Sequence, residues 1–343
     1  MRRLCKTFVP QGNALIQIFH IVVCCFVFLG IAVPDALAHK LRVGLALPSS
    51  RESRWEYDLQ AFQEIAREYN FDLFVRFAGN NQNQQNLQVR ELVTLGIDVI
   101  VIAPDVPAQA DAALARARAE GVLVICYERI AKNVALDAFI TTSARRVGAM
   151  TGEYLREHAP EGNYIIIEPP ATDSSSKEYM QGVNEHLAPS IKSGAIKVVS
   201  RGEATAWKAS AAERIVASAL NKTTAIQGIL APNDDTARGA VNALTKRHLP
   251  SPVITGQDAT VDALERIMKG SQSMTISTDY HRLARKTGET ILLLIQNKPI
   301  NATTTTFNGK AHIPTIIVPA FSIDRRNLLW LLRQPEFRNT RSD

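Results

Sequence analysis

Cysteine is scarce in this chain of 343 residues, which contains only four. Three of them, Cys5, Cys24 and Cys25, lie in an N-terminal segment that we expect to be removed, which leaves Cys126 alone. A single cysteine cannot form an internal disulfide, even in an oxidising compartment. Hydrophobic cores must therefore stabilise the fold, and the chain is long enough to bury two of them.

Sequence motifs for catalysis are also missing. There is no glycine-rich phosphate-binding loop and no Gly-x-Ser-x-Gly motif, and none of the seven histidines has the spacing of a zinc site. Asp234, Asp235 and Asp258 could act as acids or bases, but the sequence supplies them with neither a nucleophile nor a metal. We predict that the chain is not an enzyme and uses no cofactor or metal.

A strong charge of one sign is absent as well. The formal net charge is +6, and it falls to about +4 without residues 1–38, which contain Arg2, Arg3 and Lys6 against Asp35. Nucleic acid recognition needs a concentrated basic face rather than a mild excess of charge. We therefore expect no nucleic acid partner.

The N-terminal segment has the pattern of a secretory signal peptide. Its basic start precedes an apolar stretch over residues 15–33, and Ala36-Leu37-Ala38 forms a cleavage site. The alternative is an uncleaved membrane anchor, because the apolar stretch is nearly long enough to span a bilayer. Two polar breaks in the stretch and the Ala-x-Ala ending favour cleavage. The sequence predicts a signal peptide over residues 1–38, a mature protein beginning at His39 and a periplasmic location.

Short apolar runs alternate with helical patterns along the rest of the chain. The first series begins a new run about every 25 to 30 residues, and apolar side chains from Trp55 to Tyr69 recur at helical spacing between two of the runs. Such βα units imply a parallel sheet covered by helices on both sides. The predicted strands of this series are Leu41–Leu47, Phe71–Ala78, Asp98–Ala103, Val122–Tyr127 and Ala138–Thr142.

A second series of βα units follows the first. Two series predict an α/β fold with two doubly wound parallel-sheet lobes. Ligands of such sheets bind at the carboxyl ends of the strands. The predicted strands of the second series are Tyr164–Glu168, Ile196–Ser200, Ile226–Ala231, Val253–Gly256 and Met274–Thr278, with helices over Ala212–Leu220 and Thr236–Leu244.

The loops after these strands contain tryptophan, arginine, carboxylate and amide side chains. An aromatic ring gives the C–H face of a sugar an apolar contact, and arginine and carboxylate groups form charge-assisted hydrogen bonds to its hydroxyls. Each residue alone could instead be a core aromatic or a helix cap. Their recurrence at successive strand ends favours a ligand site. The residues are Arg54, Trp55, Glu128, Arg129, Asp173, Ser175, Trp207, Asn233, Gln257 and Asp258.

Seven short stretches of the chain match motifs of one known family. They are Arg54-Trp55, Gly96–Ile102, Tyr127–Arg129, Gly162–Tyr164, Pro232–Ala237, Gly256–Ala259 and Gly270–Thr275. With these stretches, the sequence from Leu41 to about Phe337 resembles the sugar-binding proteins of bacterial ABC transporters in the ribose/galactose group. Within that group it is most similar to the D-xylose-binding members.

The resemblance implies two lobes that are joined by three crossovers and hold a sugar in the cleft between them. The crossovers would lie near Thr142, Ile276 and Ile313. The implied division is a signal peptide over 1–38, an N-terminal lobe of 39–142 plus 277–312, and a C-terminal lobe of 143–276 plus 313–343.

The resemblance also assigns roles to the candidate site residues. Trp55 and Trp207 would stack on the sugar, and Arg129 would hold its hydroxyls. We also expect Arg129 to be the partner of a partly buried carboxylate, Glu128 or Asp258. The remaining polar contacts would come from Arg54, Asp173, Asn233 and Asp258.

Three positions depart from the family pattern. Glu128 replaces an aspartate, Ser175 replaces an asparagine, and Thr278 replaces a lysine, which removes a cation and three donors. Each lost hydrogen bond at a buried polar site costs roughly 1–3 kcal/mol, enough to change sugar preference. The expected ligand is therefore a xylose-like pentose or another sugar or polyol.

The expected partner of the loaded protein is a membrane protein. An ABC permease in the inner membrane would take up the sugar, whereas a histidine kinase or chemoreceptor would sense it; the sequence leaves both open. Repressors with similar lobes carry an N-terminal DNA-binding domain, and here a signal peptide takes that place. We expect the protein to be a monomer.

Overall fold

A computed structural model describes residues 40–49, 53–173 and 175–331. The predicted signal peptide over 1–38 and the predicted start at His39 lie outside the described residues, as does the end of the predicted C-terminal lobe from residue 332. No helix in the described ranges is long and apolar enough to cross a membrane.

The first part of the chain alternates strands with helices. Each strand from β1 to β5 lies within one or two residues of a run predicted from the sequence. The elements are β1 (Arg42–Leu47), α1 (Ser53–Glu68), β2 (Asp72–Phe77), α2 (Gln82–Thr94), β3 (Val99–Ile102), α3 (Asp111–Ala119), β4 (Leu123–Tyr127) and β5 (Ala138–Thr141).

The second part of the chain repeats this alternation. Its strands again coincide with the predicted runs. The elements are α4 (Ala144–His158), β6 (Gly162–Glu168), α5 (Ser176–Ser193), β7 (Ile196–Glu203), α6 (Ala209–Leu220), β8 (Gly228–Leu230), α7 (Asp234–Thr245), β9 (Val253–Ile254), α8 (Val261–Lys269) and β10 (Met274–Ser277).

The last part of the chain contributes to both lobes. Its elements are α9 (Tyr280–Ile295), β11 (Thr304–Phe307), β12 (His312–Ile317), β13 (Phe321–Asp324) and α10 (Arg325–Leu331).

The first lobe contains a seven-stranded sheet in the order β11-β12-β5-β4-β3-β1-β2. All its neighbours are parallel except the edge pair β11 and β12. The interior strand β3 has the sequence Val-Ile-Val-Ile and is buried throughout, because helices cover both faces of the sheet. One core packs the sheet against α1 and α9, and the other packs it against α2 and α3.

The second lobe contains a parallel sheet in the order β7-β6-β8-β9, beside the antiparallel pair β10 and β13. Its two main cores pack this sheet against α6 and α7 on one face and against α4 and α5 on the other. The two lobes confirm the predicted α/β class.

The chain passes between the two lobes three times. The first two passages follow β5 and β10. The third was predicted near Ile313, but β12 pairs with β5 as far as Ile317, and the passage lies between β12 and β13. The physical reason is that Ile313 and Ile316 are buried in the cores of the first lobe, so the strand must continue past the predicted point.

Candidate ligand-binding site

A cavity lies where the strand ends of the two lobes face each other. The space open to the centres of water-sized molecules is about 60 Å³, several times the roughly 10–15 Å³ that one water needs. That size fits a small ligand. Its lining residues are Arg54, Trp55, Glu128, Arg129, Thr141, Thr142, Ala144, Val147, Asp173, Ser175, Ser176, Tyr179, Trp207, Asn233, Gln257 and Asp258.

The candidate site residues are brought together in this cavity, with one exception. Thr278, after β10, is fully buried but is not among the lining residues. Its hydroxyl oxygen has no hydrogen-bond partner within the described part of the chain. As sugar contacts, the candidate residues, Thr278 included, remain predictions.

Arg54, at the start of α1, is the centre of a buried charge cluster. Its Nε donates to Asp58 at 3.1 Å, and its Nη1 donates to Glu128 at 3.1 Å. Nη1 also lies 3.8 Å from a carboxylate oxygen of Asp258 in the other lobe. Burial alone would lower the pKa of Arg54, but these carboxylates outweigh it and raise the pKa above its usual value. The guanidinium therefore stays charged.

One nitrogen of the Arg54 guanidinium, Nη2, differs from the other two in its hydrogen bonding. Nη2 of Arg54 is buried and has no hydrogen-bond partner among the described residues. A buried donor without a partner costs about 1–3 kcal/mol, and such groups are rare in native proteins. Because Arg54 lines the cavity, a ligand acceptor would satisfy this donor.

Glu128 occupies a strained position directly after β4. Its φ is 59°, in the left-handed region that a residue with a side chain rarely adopts. The carboxylate accepts from the backbone N–H of Thr142 at 3.0 Å as well as from Arg54. Burial raises the pKa of Glu128 despite its arginine partner. Trp207 (φ 56°) and Asp258 (φ 104°) are strained in the same sense, so strain recurs along the cavity wall.

Arg129 has a different partner from the one that the sequence predicted. We expected it to pair with Glu128 or Asp258, but its Nε lies 2.7 Å from Asp173 across the cleft. Arg54 pairs with Glu128 and Asp258 instead. Arg54, on the first turn of α1, lies 3.1 Å from Glu128, the residue directly after β4, and so takes the place expected for Arg129.

The two tryptophans of the site differ in environment. Trp55 is only 1% exposed and packs in the first lobe's core, while the guanidinium groups of Arg54 and Arg129 lie 4.6 Å and 5.4 Å from its ring. Trp207 lies in a short 3₁₀ turn of the second lobe and is half-buried. Trp55 therefore combines a core role with a cavity role, and Trp207 belongs to the cavity wall.

Several polar residues of the second lobe also perform structural roles. Asn233 caps α7, and its side chain forms a capping box with Thr236. Asp173 accepts from the backbone N–H of Ser175 at 2.9 Å and from its hydroxyl at 2.7 Å. These bonds fix the Asp173 carboxylate at the start of α5, where it faces Arg129.

Asp58 belongs to the buried charge cluster around Arg54 and was missed by the sequence reasoning. It is fully buried, is not a cavity-lining residue, and accepts hydrogen bonds from Arg54 and from the Tyr127 hydroxyl. Burial raises the pKa of Asp58. The available signal was the spacing of four residues between Arg54 and Asp58, which places the two side chains on one helix face.

The arrangement suits a neutral ligand with many hydroxyl groups. Arginine nitrogens offer donors and the carboxylates of Glu128, Asp173 and Asp258 offer acceptors, and a sugar hydroxyl can use both. Each arginine of the wall already has an acidic partner, Asp173 beside Arg129 and Glu128 and Asp258 beside Arg54, so the wall offers an anion no unpaired positive charge. Within the described residues, no group of histidine, cysteine, aspartate and glutamate side chains could hold a metal ion.

Comparisons with known proteins identify relatives along most of the chain. Residues 43–299 match the family model of a periplasmic binding protein domain. The D-xylose-binding periplasmic protein of Haemophilus influenzae is 32% identical over 297 residues, covering 86% of this chain and 89% of that protein. The D-xylose-binding periplasmic protein of Escherichia coli is 30% identical over 295 residues, covering 85% and 89%.

The solved structures agree with the family match. A carbohydrate transporter solute-binding protein from Chloroflexus aurantiacus, in complex with D-glucose, has a TM-score of 0.82 to this chain at 27% identity. The match covers 87% of this chain and 96% of that one. The resemblance seen in the sequence is thereby confirmed, and the chain belongs to the periplasmic binding protein domain family, with the two-lobed fold of its type I members.

Proposed function

We propose that this protein binds one monosaccharide, or a polyol of similar size, in the cavity and that its lobes close around the ligand. The lobes are taken as residues 40–142 plus 277–317 and residues 143–276 plus 318–331. The loaded, closed form would deliver the sugar to an ABC permease from the periplasm. Both similar relatives are named as periplasmic D-xylose-binding proteins, and the structural neighbour is named as a transporter component with bound D-glucose.

The single observation that carries this proposal is Nη2 of Arg54, which lies in the cavity wall and has no hydrogen-bond partner in the described part of the chain. The same guanidinium is already surrounded by Asp58, Glu128 and Asp258, so its charge is neutralised before a ligand arrives. A neutral oxygen acceptor is what the remaining nitrogen requires, and a sugar hydroxyl supplies one.

Ligand binding would be coupled to lobe closure, because the polar wall is divided between the lobes. Arg54, Glu128 and Arg129 come from the first lobe, while Asp173 and Asp258 come from the second. A ligand that contacts both sets binds the closed form better and shifts the population towards it.

A thermal-shift screen of the mature chain from His39 tests the function directly. The panel contains D-xylose, D-glucose, xylitol and myo-inositol, with glucose 6-phosphate as the anionic control. We expect at least one neutral compound to raise the melting temperature, since a ligand at a hundredfold excess over its Kd stabilises by about 2.7 kcal/mol. A panel in which only the phosphate stabilises, or nothing does, would contradict the proposal.

A further inference from the structure

Tyr57 forms a contact between the two lobes outside the set of cavity-lining residues. It lies on α1 of the first lobe and is not among the cavity-lining residues. Its hydroxyl accepts a hydrogen bond of 3.2 Å from the backbone N–H of Val261, the first residue of α8 in the second lobe.

Helix α8 needs that acceptor from outside its own lobe. The first N–H groups of a helix have no partner within the helix, and a capping side chain usually supplies one. The residue in the cap position, Thr260, makes no side-chain capping bond. Its hydroxyl bonds instead to Asp234 at 3.2 Å and to Asp262 at 2.7 Å. The tyrosine hydroxyl therefore acts as a cap that is present only when the lobes meet.

A second tyrosine supports the first. The ring of Tyr280, at the start of α9, stacks on that of Tyr57 with a centroid distance of 5.7 Å and an interplanar angle of 16°. Tyr280 packs against the first lobe's core, and its hydroxyl donates to the backbone carbonyl of Asp258. Both tyrosines thus bind the backbone of one short segment, residues 258–261, of the opposite lobe.

We propose that Tyr57 and Tyr280 form a tyrosine latch that stabilises the closed form and so increases sugar affinity without touching the sugar. The latch rests on the proposed function, because it acts through lobe closure. Ligand affinity falls when the binding-competent closed form is less populated. Tyr57 is a positioning residue in this account: it sets how readily the cavity walls come together.

The variant Tyr57→Phe isolates the hydroxyl, because it keeps the ring that stacks on Tyr280. We expect the Kd for D-xylose or D-glucose to weaken by roughly two- to tenfold, the range for one net hydrogen bond. Small-angle scattering should show a larger radius of gyration for the ligand-free variant than for the ligand-free wild type.

Tyr154→Phe is the matched control. The Tyr154 hydroxyl, on α4, donates to the backbone carbonyl of Ser273 at 3.2 Å, and both residues belong to the second lobe. Its loss should lower the melting temperature and leave both the Kd and the ligand-free radius of gyration unchanged.

Two results would overturn the latch: a Tyr57→Phe protein with wild-type Kd and radius of gyration, or an equal loss of affinity in both variants. Failure of the proposed function is a separate outcome. If wild type binds neither sugar, that function is contradicted for these ligands, and the ligand-free radii of gyration alone decide the latch.

Discussion

At the scale of single residues, Trp55 and Trp207 illustrate two ways of building a cavity wall. Trp55 is held by the core beneath it and by two arginines beside it, so its ring has one orientation. Trp207 is half-buried at φ 56°, in a turn of three residues that carries no core contact of comparable size. The two rings therefore contribute differently to stability, although both line the cavity.

Alanine at each tryptophan should separate these contributions. Trp207→Ala is expected to weaken sugar binding by about ten- to a hundredfold, since an aromatic platform is worth roughly 1–3 kcal/mol, and to leave the melting temperature nearly unchanged. Trp55→Ala should lower both the sugar affinity and the melting temperature, because truncating a tryptophan that is buried in a core costs about 3–5 kcal/mol of stability. Calorimetric titration and thermal melts on the same proteins measure the two effects. A Trp207→Ala protein that keeps wild-type affinity would remove this residue from the site.

Asp234 supplies a pH dependence with a defined direction. Burial raises its pKa to about 6, although Thr260 and Gln272 donate hydrogen bonds to the carboxylate. Its backbone N–H bonds to the carbonyl of Gln257 in the cavity wall, so the residue supports the site. Below about pH 3.8, the pKa of this carboxyl in the unfolded chain, Asp234 is neutral in both the folded and the unfolded state. Between about pH 3.8 and pH 6 it is ionised in the unfolded state only. The contribution of this group to the free energy of unfolding is therefore lost as the pH rises through that window.

The variant Asp234→Asn tests this sign. Urea unfolding from pH 4 to pH 7 should show that wild type loses stability relative to the variant as the pH rises. The difference between the two curves removes the effect of titrating groups that do not interact with Asp234. Asp258, whose pKa is raised by burial and by the charge of Asp234, is not among them. A constant difference across the window, or one that changes in the opposite direction, would contradict the assignment.

At the scale of elements, the strands that are buried on both faces were predicted from the sequence, and the exposed edge strand β11 was not. The central strands were predictable because helices cover both of their faces, which requires continuous apolar runs such as that of β3. The short edge strand β11 has the sequence Thr-Thr-Thr-Phe and is largely exposed, and β12 contains Pro314, so neither has that signal. Helix α9 was also missed, although the spacing of Leu283, Thr287 and Ile291 would have indicated it.

For the candidate site, the sequence allowed the residues to be grouped but did not give all of their contacts. Strand-end loops of two parallel sheets meet across one cleft, which is why residues as distant as Arg54 and Asp258 could be grouped from the sequence. The ion pairs that cross the cleft were not predictable, because they depend on how far apart the lobes stand. Only the structure pairs Arg129 with Asp173 and places Asp258 within 3.8 Å of Arg54.

Helices α4 and α5 pack unusually closely, and glycine makes this possible. A side chain at Gly182 would collide with the backbone of Arg145 and Ala149, and one at Gly148 would collide with the backbone of Tyr179. Tyr179 and Ala144 of these helices line the cavity, so the close approach also shapes the site.

Gly182→Ala should therefore destabilise the second lobe. Overpacking costs about 1–3 kcal/mol, more than the helix propensity gained from alanine. Chemical denaturation would measure the loss, and Lys177→Ala at an exposed position of the same helix is the control with no expected loss. Equal stability of the two variants would show that the helices can separate without cost.

At the scale of the whole molecule, the lobes contact each other through charges as well as through the tyrosine latch. Arg129 with Asp173 and Arg54 with Asp258 both cross the cleft, and both pairs lie in the cavity wall. The groups that would hold a sugar are thus the groups that hold the lobes together. Sugar binding and closure are expected to be one event for this reason.

Calorimetric titration of the mature chain tests that account most directly. We expect D-xylose, D-glucose or another neutral monosaccharide of the panel to give saturable binding at one molecule per chain, and glucose 6-phosphate to give none. No saturable heat with any neutral compound, or equal binding of the phosphate, would contradict the claim that this cavity captures a neutral sugar.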